Sequence, residues 1–248
     1  MPLITDALII REHPVGEADK FVTVLTRERG VLRASARGAR KLKSRSAAAT
    51  QLLSHSRLSL VEGRDKYIIQ DAQPLHVFFD LRADIEKLAL AQYFCELAGV
   101  ICPREEPAEE PLRLLLNALH FLGSDAREPR LMKAVVELRL LAGAGYMPSL
   151  DGCARCGETG GEMGLLPNDG VLCCAACAAA MPPDAVIPLP GGVLAAMRHV
   201  LSGGLERCFS FTLPSENLPA LAAASEACLL AQLGRSFRTL EFYHTVAP

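Results

Sequence analysis

The sequence has few of the features by which a chain announces an enzyme or a membrane protein. No stretch of about 18 apolar residues runs without a charge or a turn signal, so no bilayer-spanning helix is expected. The opening run "MPLITDALII" is broken by Asp6 and followed at once by Arg11, Glu12 and His13, which leaves no apolar region of signal-peptide length. A soluble, cytoplasmic protein is the expectation. G-x-S-x-G, Walker A and H-E-x-x-H are all missing, no His falls at metal or triad spacing, and no acidic metal cluster is seen. These absences argue against hydrolytic, nucleotide-driven and metal-nuclease chemistry, and the chain is read as not an enzyme. Aromatic residues are only 5% of the chain, and residues 1–79 hold just Phe21, Tyr67, Phe78 and Phe79. A stacking platform for single strands would be sparse; Phe21, flanked by Val22 and Val24, reads as a core residue.

What is present falls into two parts. Half of the 248 residues are hydrophobic, enough for a sizeable core. Through residue 79, the runs "LITDALIIRE", "KFVTVLTRE", "GVLRASARGA", "RLSLVEG" and "KYIIQDA" are short, alternating or β-branched, and Gly, Pro and Asp punctuate them. Five such strands suit a small barrel of OB type, in which closure removes exposed edges. From residue 80 the period changes. "LRADIEKLALAQYFCELAGVI" repeats apolar residues at Leu81, Ile85, Leu88, Ala91 and Cys95, as a helix would. "PLRLLLNALHFLG" and "PRLMKAVVELRLLAGAG" each begin with Pro and reach Gly at a helix stop, and "GGVLAAMRHVLSGG" and "LPALAAASEACLLAQLGRSFRTLEFY" are helical in pattern too. The acidic connection "REEPAEEP" reads as a solvated loop. The fold class is therefore α+β: an OB-fold barrel over residues 1–79, then a mainly α-helical domain over 80–248 interrupted by a Cys-rich insertion at about 150–181.

Charge divides at the same point. The chain carries a formal net charge of −2, made of about +5 through residue 79 and about −7 beyond it. Within the basic part, "VLRASARGARKLKSR" and the turn before it gather Arg27, Arg29, Arg33, Arg37, Arg40, Lys41, Lys43 and Arg45 against a single carboxylate, Glu28. A run of charge is commonly only a solvated surface. Cations of one sign, however, create a field that attracts phosphates and releases counterions on binding. Arg33, Arg37, Arg40, Lys41, Lys43 and Arg45 are the candidate contacts to a nucleic-acid backbone, and their Gly-marked loop suits phosphate contact better than base reading.

The nine cysteines are too many to ignore and odd in number, which disfavours a disulfide framework. Cys153 and Cys156 form one C-x-x-C, Cys174 and Cys177 a second, and 17 residues lie between the pairs. Two such knuckles complete a tetrahedral four-cysteine site of the zinc-ribbon kind. A thioredoxin-like pair is the weaker reading because there are two pairs and no βαβ pattern; buried cysteines without a metal are the other alternative. Cys173 could stand in for Cys174 with a three-residue gap, though spacing favours Cys174. Four thiolates would leave no open coordination position, so one structural Zn²⁺ is expected. Cys95, Cys102, Cys208 and Cys228 lie singly among apolar residues, where a thiol packs as a small hydrophobe.

Taken in order, "GEADKFVTVLTRERG", "ARGARKLKSR", "LRADIEKLALAQYFCEL", "ELRLLAGAGYMPSLDGCARCG", "DGVLCCAAC" and "RSFRTLEF" resemble the bacterial RecO family of recombination mediators across nearly the whole chain. That resemblance implies an N-terminal OB-fold, a helical domain with a four-cysteine zinc site, and a non-catalytic role. It implies binding of single- and double-stranded DNA, annealing of complementary strands, and work with RecR to load RecA onto strands coated by single-strand-binding protein, with a functional link to RecF. A nucleoid-associated place in the bacterial cytoplasm follows. It carries the metal-site pattern onto Cys153, Cys156, Cys174 and Cys177 and the basic signature onto Arg37, Arg40, Lys41, Lys43 and Arg45. A protein-only zinc-ribbon adaptor is the competing reading.

Overall fold

Alternation in the first strands dictates which side chains meet. In the computed structural model, which describes residues 2–247, Ala7 and Ile9 of β1 (Leu3–Val15) point inward with Val22 and Val24 of β2 (Asp19–Thr26) and Leu32 and Ala34 of β3 (Gly30–Ala36). Leu58 and Leu60 of β4 (Ser54–Glu62) and Ala72 of β5 (Tyr67–Val77) complete the same core, and Ala49, from a single 3-10 turn before β4, packs against it. The strands close in the order β1-β2-β3-β5-β4, antiparallel throughout except for the short β3–β5 pairing. This is the Greek-key closure of an OB-type barrel. Register shifts that leave an extra residue in β1 at Ile10 and in β5 at Gln70 and Leu75 bend the strands as closure requires.

The barrel does not stand bare. Leu8 and Ile10, on the outer side of β1, are buried as well. Ile10 approaches Gly99 of helix α1 (Ile85–Ile101), whose first turn is capped by the Asp84 carboxylate accepting from the N–H groups of Glu86 and Lys87. α1 is buried around most of its circumference, at Ala89, Leu90, Ala91, Tyr93, Phe94, Cys95, Leu97 and Ala98. Ile85, expected on its inner face, is instead 55% exposed, while Leu81 is buried in the turn before the helix. One apolar stripe is the wrong template for a helix covered from two sides. Helix α2 (Glu109–Gly123) follows.

The connection between α1 and α2 is pinned rather than simply solvated. The carbonyl of Pro103 accepts from the Val31 N–H at 2.8 Å, and the Ala108 N–H donates to Arg27 O at 2.9 Å. Gly30 makes this approach possible: its φ is +57°, and a Cβ there would sit 2.1 Å from the Pro103 oxygen. The acidic side chains of Glu105 and Glu106 nevertheless remain exposed.

Packing divides the chain into two compact units, residues 1–126 with 237–248, and residues 127–236. In the second unit, α3 (Pro129–Gly143) starts at a Pro and stops at a Gly, as the pattern predicts. A four-stranded sheet follows, ordered β6-β8-β7-β9 and built from β6 (Ser149–Cys153), β7 (Met163–Leu166), β8 (Val171–Cys174) and β9 (Ile187–Leu189). The short α4 (Ala175–Ala178) lies between β8 and β9. Helices α5 (Gly191–Ser202) and α6 (Leu218–Leu233) pack with α3. Inside, Lys133 bonds Glu137 at 2.8 Å and Glu226 at 2.7 Å, so the buried charges on α3 are paired.

The final helical run is two helices, not one. Gly234 adopts a left-handed φ of +60° and stops α6. α7 (Arg238–Val246) belongs to the first unit, where the Glu96 carboxylate of α1 accepts from the Thr239 N–H at 3.2 Å and so caps its N-terminus. Phe237 meets Tyr93 edge-on, ring centroids 5.9 Å apart. Among the described residues no helix is long and apolar enough to cross a membrane.

Candidate functional site

Two constellations carry chemistry, one in each unit. The cysteine cluster is assembled by the small sheet. β6 delivers Cys153, and the turn after it is closed by Gly157 N–H donating to Cys153 O at 2.9 Å, with Gly157 at φ +78°. The adjacent strand β8 ends in Cys174, and Cys177 follows in α4. Ala154 N–H donates to Leu172 O at 2.9 Å, which ties the first knuckle to the strand bearing the second. Arg198 on α5 donates from Nε and Nη2 to Leu150 O, holding β6 in place, and Gln232 on α6 donates to the Pro167 and Asn168 carbonyls at the β7–β8 turn.

The result is that the Sγ atoms of Cys153, Cys156, Cys174 and Cys177 all lie within 4.8 Å of one another, and such a group could hold a metal ion. Cys156 Sγ and Cys174 Sγ are 3.6 Å apart. Backbone N–H groups near Cys174, Cys156 and Arg155 lower the Cys153 thiol to about 6, prepared to be a thiolate. The Glu158 N–H lowers Cys156 too, but the neighbouring Cys153 and Cys174 sulfurs outweigh it and leave that thiol raised. Cys177 is pushed up to about 12 by Cys156 and Cys174. Four crowded sulfurs resist ionising together, and a bound cation reverses that penalty.

Cys173 lies outside the cluster. Successive side chains of β8 point to opposite faces, and Cys173 is fully buried with its Sγ 3.9 Å from Met181 Sδ. Cys95 and Cys102 are driven up to about 12 and Cys228 to about 11, in each case chiefly by burial, so they remain neutral thiols; Cys208 is buried too.

The basic stretch leaves the barrel at the end of β3 as a ladder of turns. Lys41 N–H donates to Gly38 O, Ser44 N–H to Lys41 O and Thr50 N–H to Ser46 O, between 2.9 and 3.1 Å. The β1–β2 hairpin tethers it: Gly38 N–H donates to the Asp19 carboxylate at 2.7 Å, and Arg40 N–H to Ala18 O at 2.9 Å. Gly38 is left-handed, with φ +65°. The stretch is thus neither a strand nor a helix.

Arg33, Arg37, Arg40, Lys41, Lys43 and Arg45 are all exposed, and among the described residues none of these cations has a carboxylate within ion-pair distance. Four neighbouring cations are paired. Arg27 lies 3.6 Å and Arg57 2.9 Å from Asp6, Arg29 lies 3.9 Å from Glu105, and Lys20 lies 2.8 Å from Glu12. Arg57 in turn holds the Asp6 carboxyl below its ordinary value by hydrogen bonding. Sequence counting therefore overstated the free charge by including Arg27 and Arg29.

It also misplaced Phe21 and overlooked Lys66. Phe21 lies outside the barrel core, on the opposite face of β2 from Val22 and Val24, and is only half-buried. Arg33 Cζ lies 4.8 Å and Lys66 Nζ 4.1 Å from its ring centroid. Strict alternation from Val22 and Val24 was the signal that could have found it.

A closed five-stranded Greek-key barrel with an exposed basic stretch, joined in one chain to a helical unit bearing four thiols that could hold a metal ion, defines a two-part protein of OB-fold type. Comparison with known proteins makes the class specific. Residues 1–78 match the family described as Recombination protein O N terminal, and residues 82–241 match Recombination protein O C terminal. The chain belongs to the recombination protein O family. Similar curated proteins, each named DNA repair protein RecO, occur in Symbiobacterium thermophilum (35% identical, covering 97% of this chain and 96% of that protein), Acetivibrio thermocellus (29%, covering 98% and 97%) and an Anaeromyxobacter species (33%, covering 97% and 95%).

Proposed function

We propose that the protein is a non-catalytic DNA-binding mediator of recombinational repair in the bacterial cytoplasm, working at the nucleoid. The observation that carries this reading is the set of exposed cations that, among the described residues, have no carboxylate partner on the turn ladder beside β3, whereas Lys20, Arg27, Arg29 and Arg57 of the same barrel are paired with carboxylates. Charges left unpaired by the fold are available to phosphates, and contact with phosphates is indifferent to sequence and serves single and double strands alike. Annealing needs no catalytic residue on such a surface: cations screen two strands held close, and base pairing supplies the free energy. Family membership supports the partners RecR and single-strand-binding protein, loading of RecA, and a functional link to RecF.

The cysteine cluster is proposed to hold one structural Zn²⁺ through Cys153, Cys156, Cys174 and Cys177. A tetrahedron with Zn–S of about 2.3 Å has sulfurs about 3.8 Å apart, and the four sulfurs already lie within 4.8 Å of one another. The ion would staple β6 to the β8–α4 turn, with no ligand position left for substrate.

Annealing of complementary oligonucleotides, with and without single-strand-binding protein, tests the assignment. Acceleration by the wild type, reduced by neutralising the ladder cations, is expected. No DNA binding even at low salt would refute it and leave an adaptor that binds only proteins.

A further inference from the structure

Two aromatic rings of the basic module carry cations over them, Phe79 with Arg82 and Phe21 with both Arg33 and Lys66. Of the four aromatic residues in residues 1–79, Phe78 is buried, Tyr67 packs partly against the barrel core and donates its hydroxyl to Glu105, and Phe79 lies in the turn beyond β5 with Arg82 over it. Phe21 alone sits on the outer face of β2 beside β3, opposite Ser35 and diagonal to Arg33, which pairs across from Thr23. Lys66, from the turn joining β4 to β5, reaches over the same ring. In OB-type barrels the face of strands 2 and 3, with the loop between strands 4 and 5, is where a strand of nucleic acid has both a floor and a wall.

We propose that Phe21, flanked by Arg33 and Lys66, is a stacking station for one base of a single strand, and that it gives the barrel a preference for single-stranded over duplex DNA. The proposal rests on the DNA-binding reading above and adds to it a contact that phosphate binding does not need. Arg33 and Lys66 are both exposed, so their hold on the ring is of the weak, solvent-screened kind. An unpaired base offers a larger flat surface than an ammonium does and takes its place over the phenyl ring, while Lys66 turns to a flanking phosphate. The Arg33 guanidinium is planar and can lie on the base's other face. Four residues beyond Arg33 the turn ladder begins at Arg37, so the backbone on one side of that base meets the unpaired cations. Bases inside a duplex are stacked on one another and have no free face to present.

The chain lacks tryptophan, which makes position 21 its own reporter. Phe21→Leu keeps an apolar side chain on β2 but removes the aromatic face; Phe21→Trp keeps the face and adds the sole indole. With fluorescent oligo-dT and a duplex of equal length at matched salt, Phe21→Leu is expected to weaken single-strand binding by roughly five- to a hundredfold. Duplex affinity and both salt slopes stay at wild-type values. Phe21→Trp is expected to bind oligo-dT as the wild type does, its emission quenched by the single strand and not by the duplex. Equal affinity of Phe21→Leu and wild type for oligo-dT, an equal loss on both DNA forms, or unquenched emission would each overturn the stacking station while the phosphate-binding reading stands. A wild type that binds neither DNA form at low salt would overturn both.

Discussion

Consider replacing Arg37, Arg40 and Lys41 together by Gln. Each is exposed and, among the described residues, none has a carboxylate within ion-pair distance, so no ion pair is broken; the one intramolecular contact removed is the hydrogen bond that Arg40 Nη1 donates to Gly16 O at 2.5 Å. If each cation neutralises one phosphate, the slope of log K against log salt should shrink by about 2.7 on duplex DNA and about 2.1 on a single strand. Over a fourfold rise in salt, from about 50 to about 200 mM, the wild-type advantage on duplex should therefore fall by about fortyfold. Fluorescence anisotropy at several salt concentrations measures both lines. Arg27→Gln is the control: Arg27 is engaged with Asp6, which keeps Arg57 as a second partner, so its line should run close to that of the wild type. Parallel lines for the triple variant and wild type would show that the ladder does not contact phosphate, whatever the affinities.

Three further outcomes follow from the geometry. Purified protein should carry about one zinc per chain; Cys153→Ala should abolish it and lower Tm by at least about 10 °C, whereas Cys173→Ala should leave the metal in place, as elemental analysis and melting curves will show. Equal metal content in both variants would contradict the cluster assignment. Gly30→Ala forces a side chain into a left-handed residue against the Pro103 carbonyl, and should cost about 2 kcal/mol or more in urea unfolding. Burial, chiefly, lowers the pKa of His55 below its ordinary 6.5, with Asp6 opposing and His76 reinforcing the shift. Its unfolded form therefore binds the proton first, so its contribution to stability is whole above about pH 6.5 and is lost as pH falls from there through the folded pKa. His55→Asn should flatten that part of the stability–pH curve, and an unchanged curve would refute the link.

The barrel was legible because its strands alternate and its turns are marked by Gly, Pro and Asp, although β1 and β5 run longer, at 13 and 11 residues, than the short runs that pointed to them. Helix α3 was legible because Pro129 and Gly143 bound it, and α2 ends at Gly123 as its pattern indicated but begins at Glu109, two residues before Pro111. Cysteine spacing brought out the four thiols that the fold gathers, and Cys173, beside Cys174 in β8, is not among them. What escaped was set by contacts distant in sequence. Ile85 is exposed because α1 is buried around its later turns, Arg27 and Arg29 lose their free charge to Asp6 and Glu105, and "REEPAEEP" is stitched to the β2–β3 turn by backbone bonds that no side chain advertises. The break at Gly234 carried a local signal, a glycine at a helix end, that the continuous apolar pattern on both sides concealed.

The docking of α7 on α1 bears on how the protein is made. Residues 127–236 interrupt the unit that these two helices share, so Tyr93 and Glu96 wait for Phe237 and Thr239 while the intervening chain is synthesised. At about 5–20 residues per second that delay is roughly 7 to 30 s. During it a nascent chain presents an uncovered apolar helix beside a finished barrel, the kind of surface that chaperones hold, and the second unit, continuous in sequence, has time to fold first. Synthesis speed through residues 127–236 should therefore affect the yield of native protein more than speed through the barrel does.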